Sequence, residues 1–241
     1  MTRNVLVTGA TGAIGFAIAK KFKDNGFNVF VTGRSCEKMA RLDNMFDGYF
    51  CCNLSDDNAC CAHFDEAKKQ LGQIDILVNN AGEYLWAEIE NTADEQISSM
   101  IKINFEVPYR LSKIFVKQMQ ENYWGRIINI GSISGAVGEA NATLYSATKS
   151  ALIGLTKSLA LEKADKNITV NIINPGWVDT ELTRDALSED AFTVEETLDM
   201  IPQRRFITPE EIADCALYLA SDAARGITGQ YINLCAGLSI G

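Results

Sequence analysis

The chain has 241 residues, of which 47% are hydrophobic, and its 22 lysines and arginines against 31 aspartates and glutamates give a formal net charge of -9. This length suits one globular domain over residues 1–241. No apolar run reaches the roughly 18 residues that a membrane span needs, and the negative charge would repel nucleic acid. The sequence starts MTRNVLVTG and shows no signal-peptide pattern, so we expect a cytoplasmic protein with neither a membrane nor a nucleic-acid partner.

Cysteine usage favours reduced thiols. The seven cysteines are Cys36, Cys51, Cys52, Cys60, Cys61, Cys215 and Cys235. Their count is odd, and a chain of this size does not need disulfide bonds to be stable, so we expect free thiols in a reducing compartment. The alternative is a metal site made from Cys51, Cys52, Cys60, Cys61 and His63. Adjacent strand residues point to opposite faces and no CxxC motif is present, so we expect no metal.

Short apolar runs alternate with amphipathic stretches along the chain. The predicted strands cover residues 5–7, 27–32, 49–52, 74–78, 127–130, 169–173 and 231–234. The predicted helices cover residues 13–25, 36–45, 56–71, 94–122, 143–164 and 209–220, and the fourth of these is expected to break near residues 104–108. This alternation predicts a Rossmann-like, doubly wound α/β fold with a parallel sheet of about seven strands and helices on both faces.

A glycine-rich turn joins the first strand to the first helix, with the sequence TGATGAIG from Thr8 to Gly15. Glycines there let the backbone approach a pyrophosphate, which the first amides of the helix can bind. The turn predicts a dinucleotide site, with a packing role for the glycines as the alternative. The predicted contacts are Gly9, Thr11, Gly12, Ala13, Ile14 and Gly15.

The end of the second strand predicts which cofactor binds. An acidic residue usually meets a free ribose hydroxyl at this place, but here the strand is followed by Arg34 and Ser35. A guanidinium and a hydroxyl suit a ribose phosphate, so NADP(H) is favoured and NAD(H) is the alternative. In the other interpretation Arg34 is only a solvated residue at the start of a helix.

Two further strand ends are predicted to line the cofactor. Asn53 and Leu54 follow the third strand, where Asn53 is placed against the adenine. Asn80, Ala81 and Gly82 follow the fourth strand, and their small size lets the backbone pass close to the ligand. Ligands of open α/β sheets bind at these carboxyl ends.

The candidate chemistry centres on Tyr145 and Lys149, which are four residues apart and share a helix face. Reduction of a carbonyl needs a proton donor, and a neighbouring ammonium would lower the pKa of the Tyr145 phenol. Ser132 follows the fifth strand and is expected to bond the carbonyl oxygen and align it with Tyr145. Asn104, near the break in the long helix, is expected to hold a water that links Lys149 to solvent. A Tyr–Lys pair alone is more often a plain surface pair, and only the combination favours catalysis.

Together these motifs resemble the short-chain dehydrogenase/reductase family, in its compact single-domain branch, over Val5 to Gly237. The resemblance implies a catalytic tetrad of Asn104, Ser132, Tyr145 and Lys149, with Tyr145 and Lys149 also contacting the cofactor. It also implies a nicotinamide contact region made of Pro175, Gly176, Val178 and Thr180.

Within the family, the motifs GRIINIGS from Gly125 to Ser132 and YSATK from Tyr145 to Lys149 are most similar to those of bacterial 3-oxoacyl-ACP reductases. The likeness implies NADPH-dependent reduction of a 3-oxoacyl thioester, carried on acyl carrier protein or CoA, as in fatty acid biosynthesis. The alternatives are another ketone or secondary alcohol (cyclic, sugar or steroid) and a cofactor-binding sensor without catalysis. An intact tetrad argues against the sensor.

The predicted substrate pocket includes Ser132 and the aromatic residues Tyr84, Trp86 and Trp177. Core or subunit contacts are the alternative role for these aromatics. Residues 176–208 form a long polar stretch that is predicted to act as a substrate lid, with a solvated excursion as the alternative. The helix over residues 143–164 carries a wide apolar and small-residue surface, so we expect a homotetramer, or otherwise a dimer.

Overall fold

Seven parallel strands form one sheet in this computed structural model, which describes residues 2–56, 58–181, 183–184, 187 and 193–240. The strands are β1 Asn4–Val7, β2 Asn28–Gly33, β3 Gly48–Cys51, β4 Ile76–Asn79, β5 Gly125–Ile130, β6 Ile168–Pro175 and β7 Tyr231–Leu234. Their order is β3-β2-β1-β4-β5-β6-β7. The predicted doubly wound fold is confirmed, and its strand order reverses between β1 and β4, where such sheets bind ligands.

Helices cover both faces of the sheet. They are α1 Ala13–Asp24, α2 Cys36–Ala40, α3 Ala59–Leu71, α4 Asp94–Ile101, α5 Val107–Glu121, α6 Ser134–Val137, α7 Thr143–Lys163, α8 Val194–Met200 and α9 Pro209–Ala220. The predicted break in the long helix is a turn of π-helix at Lys102–Glu106, between α4 and α5. The short helices α6 and α8 were not predicted.

Two apolar layers hold the sheet between the helices. Alternate residues of each strand enter opposite layers, as Val5 and Leu6 do in β1. One layer packs α1 and α9 through side chains such as Phe22. The other packs α3, α5 and α7 through side chains such as Phe115. Among the described residues, no helix is long and apolar enough to cross a membrane.

Cys36 and Cys51 form a disulfide, with 5.3 Å between their Cα atoms. The expectation that all the cysteines are reduced is therefore wrong. Gly33 pairs with Cys51 in the register of β2 and β3, and α2 begins at Cys36 soon after β2 ends. The two thiols thus meet at the carboxyl ends of adjacent strands. The free cysteines are Cys52, Cys60, Cys61, Cys215 and Cys235.

Candidate active site

The turn between β1 and α1 needs two of its glycines for steric reasons. Gly9 has a φ of +71°, and a Cβ there would lie 2.9 Å from the Cα of Ala81. A Cβ at Gly15 would collide with the Gly9 carbonyl oxygen and the Asn80 amide. Gly12 is the N-cap residue of α1, and it has no side chain that could accept a hydrogen bond from the first backbone amides of the helix. The first amides of α1 therefore suit an external anion such as a pyrophosphate, and the turn fits a dinucleotide.

Thr8, to which the sequence analysis gave no role, ties this turn to the end of β4. Its hydroxyl oxygen accepts hydrogen bonds from the backbone amides of Asn80 and Ala81, both at 2.9 Å. The Asn80 side chain donates back to the Thr8 carbonyl oxygen at 2.9 Å. These bonds bring two of the predicted cofactor-binding segments, residues 9–15 and 80–82, to one edge of the sheet.

The remaining residues of the turn face different ways. A Cβ on Gly33 would lie 2.7 Å from the Thr11 methyl group, so the turn packs on the end of β2. Ala13 is exposed at the start of α1, and Ile14 packs against the apolar layer that contains α1. Of these residues, Ala13 is the most exposed, and the ligand contacts of Thr11, Ala13 and Ile14 stay predictions.

Arg34 lies exposed directly after β2, and Ser35 caps α2 by accepting a hydrogen bond from the Lys38 amide at 3.3 Å. Arg34 Nη1 donates to Glu83 Oε1 at 2.8 Å. The Arg34 side chain is 74% exposed, so this screened ion pair is worth at most about 1 kcal/mol. A ribose phosphate could therefore replace the Glu83 carboxylate as the partner of Arg34 at a small cost in free energy.

Asn53 and Leu54 follow β3 at the same edge. The Asn53 side chain accepts from the Ser55 amide at 3.2 Å and donates to Asp56 at 3.0 Å, while Leu54 is buried. The Asn53 side chain thus bonds within its own turn, and its predicted adenine contact stays a prediction.

Asn104 sits in the π-helical turn, a feature that is frequent at functional sites. Its Oδ1 accepts from the Glu83 amide at 2.8 Å, and its Nδ2 donates to the Glu83 carbonyl oxygen at 2.9 Å. Nδ2 also lies 3.2 Å from the Thr148 hydroxyl. In this structure Asn104 therefore links the segment after β4 to α7, and its predicted water contact stays untested.

Lys149 is buried, and its Nζ donates to the Ile130 carbonyl oxygen at 3.0 Å. A Cβ on Gly82 would lie 3.5 Å from Lys149 Nζ and 3.0 Å from Asn104 Oδ1, which brings three predicted site residues together. Burial lowers the pKa of Lys149 to about 8.

Tyr145 is half-buried on α7 and shares a hydrogen bond with Ser132. Burial raises the pKa of Tyr145 to about 12, the hydrogen bond with Ser132 opposes this rise, and the charge of Glu139 adds to it. Lys149 Nζ lies 5.6 Å from the centre of the Tyr145 ring. The expectation that Lys149 lowers the phenol pKa is not met in this geometry, because desolvation dominates.

Tyr84, which was predicted to line the substrate pocket, borders Tyr145, and its substrate contact stays a prediction. The two rings meet edge to face with centroids 4.9 Å apart, and the Tyr84 hydroxyl donates to Glu139 at 3.0 Å. Trp86 is 41% exposed in the same loop. The sequence analysis missed Glu139, and no sequence signal distinguishes it from an ordinary surface carboxylate.

The predicted nicotinamide region begins where β6 ends. Pro175 closes the strand, and the Gly176 amide donates to the Leu234 carbonyl oxygen of β7 at 2.9 Å. A Cβ on Gly176 would lie 2.8 Å from the Cβ of Cys235, so only glycine fits this close approach.

Val178 and Thr180 are the next two residues that were predicted to contact the nicotinamide. Val178 pairs with Ile207, and the Thr180 hydroxyl oxygen accepts from the Thr183 amide at 3.2 Å. The roles predicted for Val178 and Thr180 stay predictions, with the Thr180 oxygen engaged in its own turn here.

Trp177 packs against the apolar layer of α1 and α9, and its ring centroid lies 6.5 Å from that of Phe206. This contact matches the packing alternative for Trp177, while its substrate contact stays a prediction. Within the predicted lid over residues 176–208, residues 182, 185–186 and 188–192 lie outside the described part of the chain.

Comparisons with known proteins show which family the chain resembles. A family model described as enoyl-(acyl carrier protein) reductase, of the short-chain dehydrogenase/reductase type, matches residues 9–239. The chain is 38% identical to the 3-oxoacyl-[acyl-carrier-protein] reductase FabG of Rickettsia felis, over 97% of this chain and 95% of the relative. It is also 38% identical to the uncharacterized oxidoreductase YxjF of Bacillus subtilis, over 96% of each.

A solved structure shows the same fold. YwfH, described as an NADPH dependent reductase involved in bacilysin biosynthesis, superposes with a TM-score of 0.93 at 27% identity and full coverage of both chains. The resemblance found in the sequence is thereby confirmed. The chain belongs to the short-chain dehydrogenase/reductase family and is an oxidoreductase that uses a nicotinamide cofactor.

Proposed function

We propose that this protein is an NADPH-dependent carbonyl reductase in which Tyr145 donates the proton and a 3-oxoacyl thioester is the substrate. The observation that carries the proposal is the convergence of Ser132, Tyr145, Lys149 and Asn104 beside the glycine-rich turn at the switch point of the sheet. Ligand sites of such sheets lie at this point.

The bound cofactor supplies the hydride, and the side chains supply alignment and the proton. Tyr145 holds its proton at neutral pH, because burial raises its pKa to about 12. A phenol in that state can protonate the carbonyl oxygen as negative charge develops there. Ser132 shares a hydrogen bond with Tyr145, which supports a role for Ser132 in orienting the same oxygen.

Lys149 and Asn104 support the cofactor side. The buried Lys149 ammonium would bond a ribose hydroxyl of the cofactor, and Asn104 holds the backbone at Glu83 through two hydrogen bonds. The site residues, including the contacts assigned to residues 9–15, 34–35, 53–54, 80–82 and 175–180, form part of this proposal.

NADP(H) is the proposed cofactor. Arg34 lies directly after β2, where a carboxylate would otherwise select a free ribose hydroxyl. YwfH, with the same fold, is described as NADPH dependent. A measured preference for NAD(H) over NADP(H) would contradict this choice.

The substrate class rests on relatives. FabG of Rickettsia felis is named a 3-oxoacyl-[acyl-carrier-protein] reductase, which supports a carrier-bound or CoA-bound thioester and a role in fatty acid biosynthesis. The description of the matching family model instead names an enoyl-(acyl carrier protein) reductase. The edge-to-face pair of Tyr84 and Tyr145 gives the pocket an aromatic wall, and another cyclic, sugar or steroid ketone is the remaining alternative.

We also propose one domain over residues 1–241, a substrate lid over residues 176–208, a cytoplasmic location and a homotetramer. The assembly is supported by exposed apolar side chains on α7 and α5. Leu161 is 84% exposed and Tyr109 is 50% exposed.

A substrate panel tests the proposal. NADPH oxidation is measured with acetoacetyl-CoA, crotonyl-CoA and free cyclic ketones, using the wild type and Tyr145→Phe. The proposal expects the 3-oxo thioester to be reduced fastest, with less than about a tenth of kcat left in Tyr145→Phe. Preference for crotonyl-CoA would indicate enoyl reduction, and preference for a free ketone would move the assignment to the alternative class.

A further inference from the structure

The Cys36–Cys51 disulfide lies between two segments that are proposed to hold the adenosine end of the cofactor. Residues 34–35 directly precede Cys36, and residues 53–54 follow Cys51 after one intervening residue. The bond therefore joins the segment that carries the proposed ribose-phosphate contact to the segment that carries the proposed adenine contact.

The bond also lies close to the backbone of Arg34. Cys51 Sγ is 3.9 Å from the Arg34 carbonyl oxygen, and the Cys52 amide donates to the Gly33 carbonyl oxygen at 3.1 Å. Gly33 is the residue that pairs with Cys51 in the register of β2 and β3. The disulfide is thus in contact with the backbone that presents the Arg34 side chain.

The disulfide is a main anchor of α2. This helix is five residues long, and of these five residues, all of which the structure describes, only Met39 is buried. Its N-cap residue Ser35 accepts a hydrogen bond from the Lys38 amide, which closes the first turn without tying α2 to the sheet. The Arg34 side chain is 74% exposed in its ion pair with Glu83. Loss of the disulfide would therefore leave α2 and the residues before it less firmly held.

A reductant can reach this bond from solvent, because Cys36 is exposed while Cys51 is partly buried. A thiolate of a dithiol reductant attacks Cys36 Sγ and forms a mixed disulfide, the bond to Cys51 breaks, and Cys51 leaves as a thiolate that takes up a proton. The second thiol of the reductant then displaces Cys36. Two electrons and two protons pass to the protein, and the reductant leaves as a disulfide. Exposed disulfides are typically the labile and regulatory ones.

We propose that Cys36 and Cys51 form a thiol–disulfide exchange site for a dithiol reductant, and that the redox state of this site sets the affinity for NADPH. The disulfide form holds Arg34 and Ser35 ready for the ribose phosphate before the cofactor binds. In the dithiol form, binding must also order α2 and these side chains, and this ordering weakens the complex. The inference rests on the proposed choice of NADPH and its contact with Arg34.

The test compares the oxidised wild type with the wild type reduced by dithiothreitol. Fluorescence titration gives the dissociation constants of NADPH and NADH, and alkylation of the unfolded chain should count five free thiols in the first form and seven in the second. We expect reduction to weaken NADPH binding about two- to tenfold. It should weaken NADH binding less, because NADH lacks the phosphate that Arg34 is proposed to bind.

Three variants separate the bond from other effects of the reductant. The Cys36→Ser, Cys51→Ser double variant should bind NADPH like the reduced wild type, and dithiothreitol should not change its affinity. Arg34→Ala should lose most of the response to reduction, since the guanidinium that the disulfide positions is absent. Cys61→Ser removes an exposed free thiol and is the matched control, which should respond like the wild type.

Equal NADPH affinity in the two forms of the folded wild type would overturn the inference. Seven free thiols without reductant, an equal weakening of NADH binding, or an undiminished response in Arg34→Ala would also overturn it. The wild-type comparison needs no substitution, so it decides the inference even if the double variant does not fold.

Failure of the proposed cofactor choice gives a different result, because the oxidised wild type would then bind NADH as tightly as NADPH. In that case the change in cofactor affinity on reduction still decides whether the exchange site controls binding.

Discussion

The guanidinium of Arg34 and the carboxylate of Glu83 form an ion pair, with 2.8 Å between Nη1 and Oε1. Arg34 follows β2 and Glu83 follows β4, and these strands flank β1 in the sheet. The pair therefore passes beside the glycine-rich turn that follows β1. Asn104 holds the backbone of Glu83 through two hydrogen bonds, which connects the proposed phosphate contact to the proposed tetrad.

Glu83→Gln should tighten NADPH binding about two- to fivefold. In the wild type, Arg34 must break its ion pair with Glu83 before it can bind the ribose phosphate, and an exposed ion pair is worth up to about 1 kcal/mol. Fluorescence titration with NADPH measures the effect. Glu37→Gln is the matched control, since Glu37 forms a similar exposed pair with Arg41. Weaker binding in Glu83→Gln would show that the carboxylate helps the cofactor instead.

Arg34→Ala should weaken NADPH binding by about 10- to 100-fold and leave NADH binding nearly unchanged. A charge-assisted hydrogen bond to phosphate is worth about 1.5 to 3 kcal/mol, and NADH lacks that phosphate. The measurement is kcat/KM for both cofactors in the wild type and the variant. Equal use of NADH and NADPH by the wild type would reject the assignment of Arg34.

We expect Lys149 to make NADPH binding pH-dependent. Its pKa is lowered to about 8, so the side chain is charged below that pH and neutral above it. A negatively charged cofactor favours the charged form, and NADPH affinity should fall as pH rises through about 8. Lys149→Met should weaken binding at pH 7 and flatten this dependence. A dependence that persists in the variant would assign the effect to another group.

The Cys36–Cys51 disulfide should be detectable by alkylation of the unfolded chain. Without a reductant, five of the seven cysteines should be labelled, and all seven should be labelled after reduction. A disulfide that closes a loop of this length stabilises by roughly 3 kcal/mol, so reductant should lower the Tm of the wild type. It should leave the Cys36→Ser, Cys51→Ser double variant unchanged. Labelling of all seven without reductant would contradict the bond.

The proposed assembly depends on the exposed face of α7. A Cβ at Gly154 would have no neighbour within 4 Å among the described residues, so Gly154→Arg should leave the fold of a single chain intact. If α7 packs against a second copy, the variant should split the oligomer. Light scattering at micromolar concentration measures this, and a wild-type mass equal to one 26.4 kDa chain would reject the homotetramer and the dimer alike.

The parts of the site that follow from local rules could be predicted from the sequence. Ser132 follows β5, and Tyr145 and Lys149 lie one turn apart on α7, so strand ends and helix spacing were enough to place them. The break in the long helix could also be predicted from a local rule, because proline disfavours the interior of a helix and Pro108 lies in the first turn of α5.

Contacts between distant segments could not be predicted in this way. The Arg34–Glu83 pair joins residues 49 positions apart, and the Tyr84–Glu139 hydrogen bond joins residues 55 positions apart. The disulfide required the register of β2 against β3, which a single sequence does not reveal. The pKa of Tyr145 was expected to fall beside Lys149, but burial depends on packing that spacing alone does not show.

Isotope transfer tests the central claim most directly. The wild type is incubated with acetoacetyl-CoA and NADPH that carries two deuterium atoms at C4, and the hydroxyacyl product is analysed by mass spectrometry. The account predicts one deuterium on the carbinol carbon for each NADPH consumed, and almost no labelled product from Tyr145→Phe. A product without deuterium, or equal labelled product from both enzymes, would contradict it.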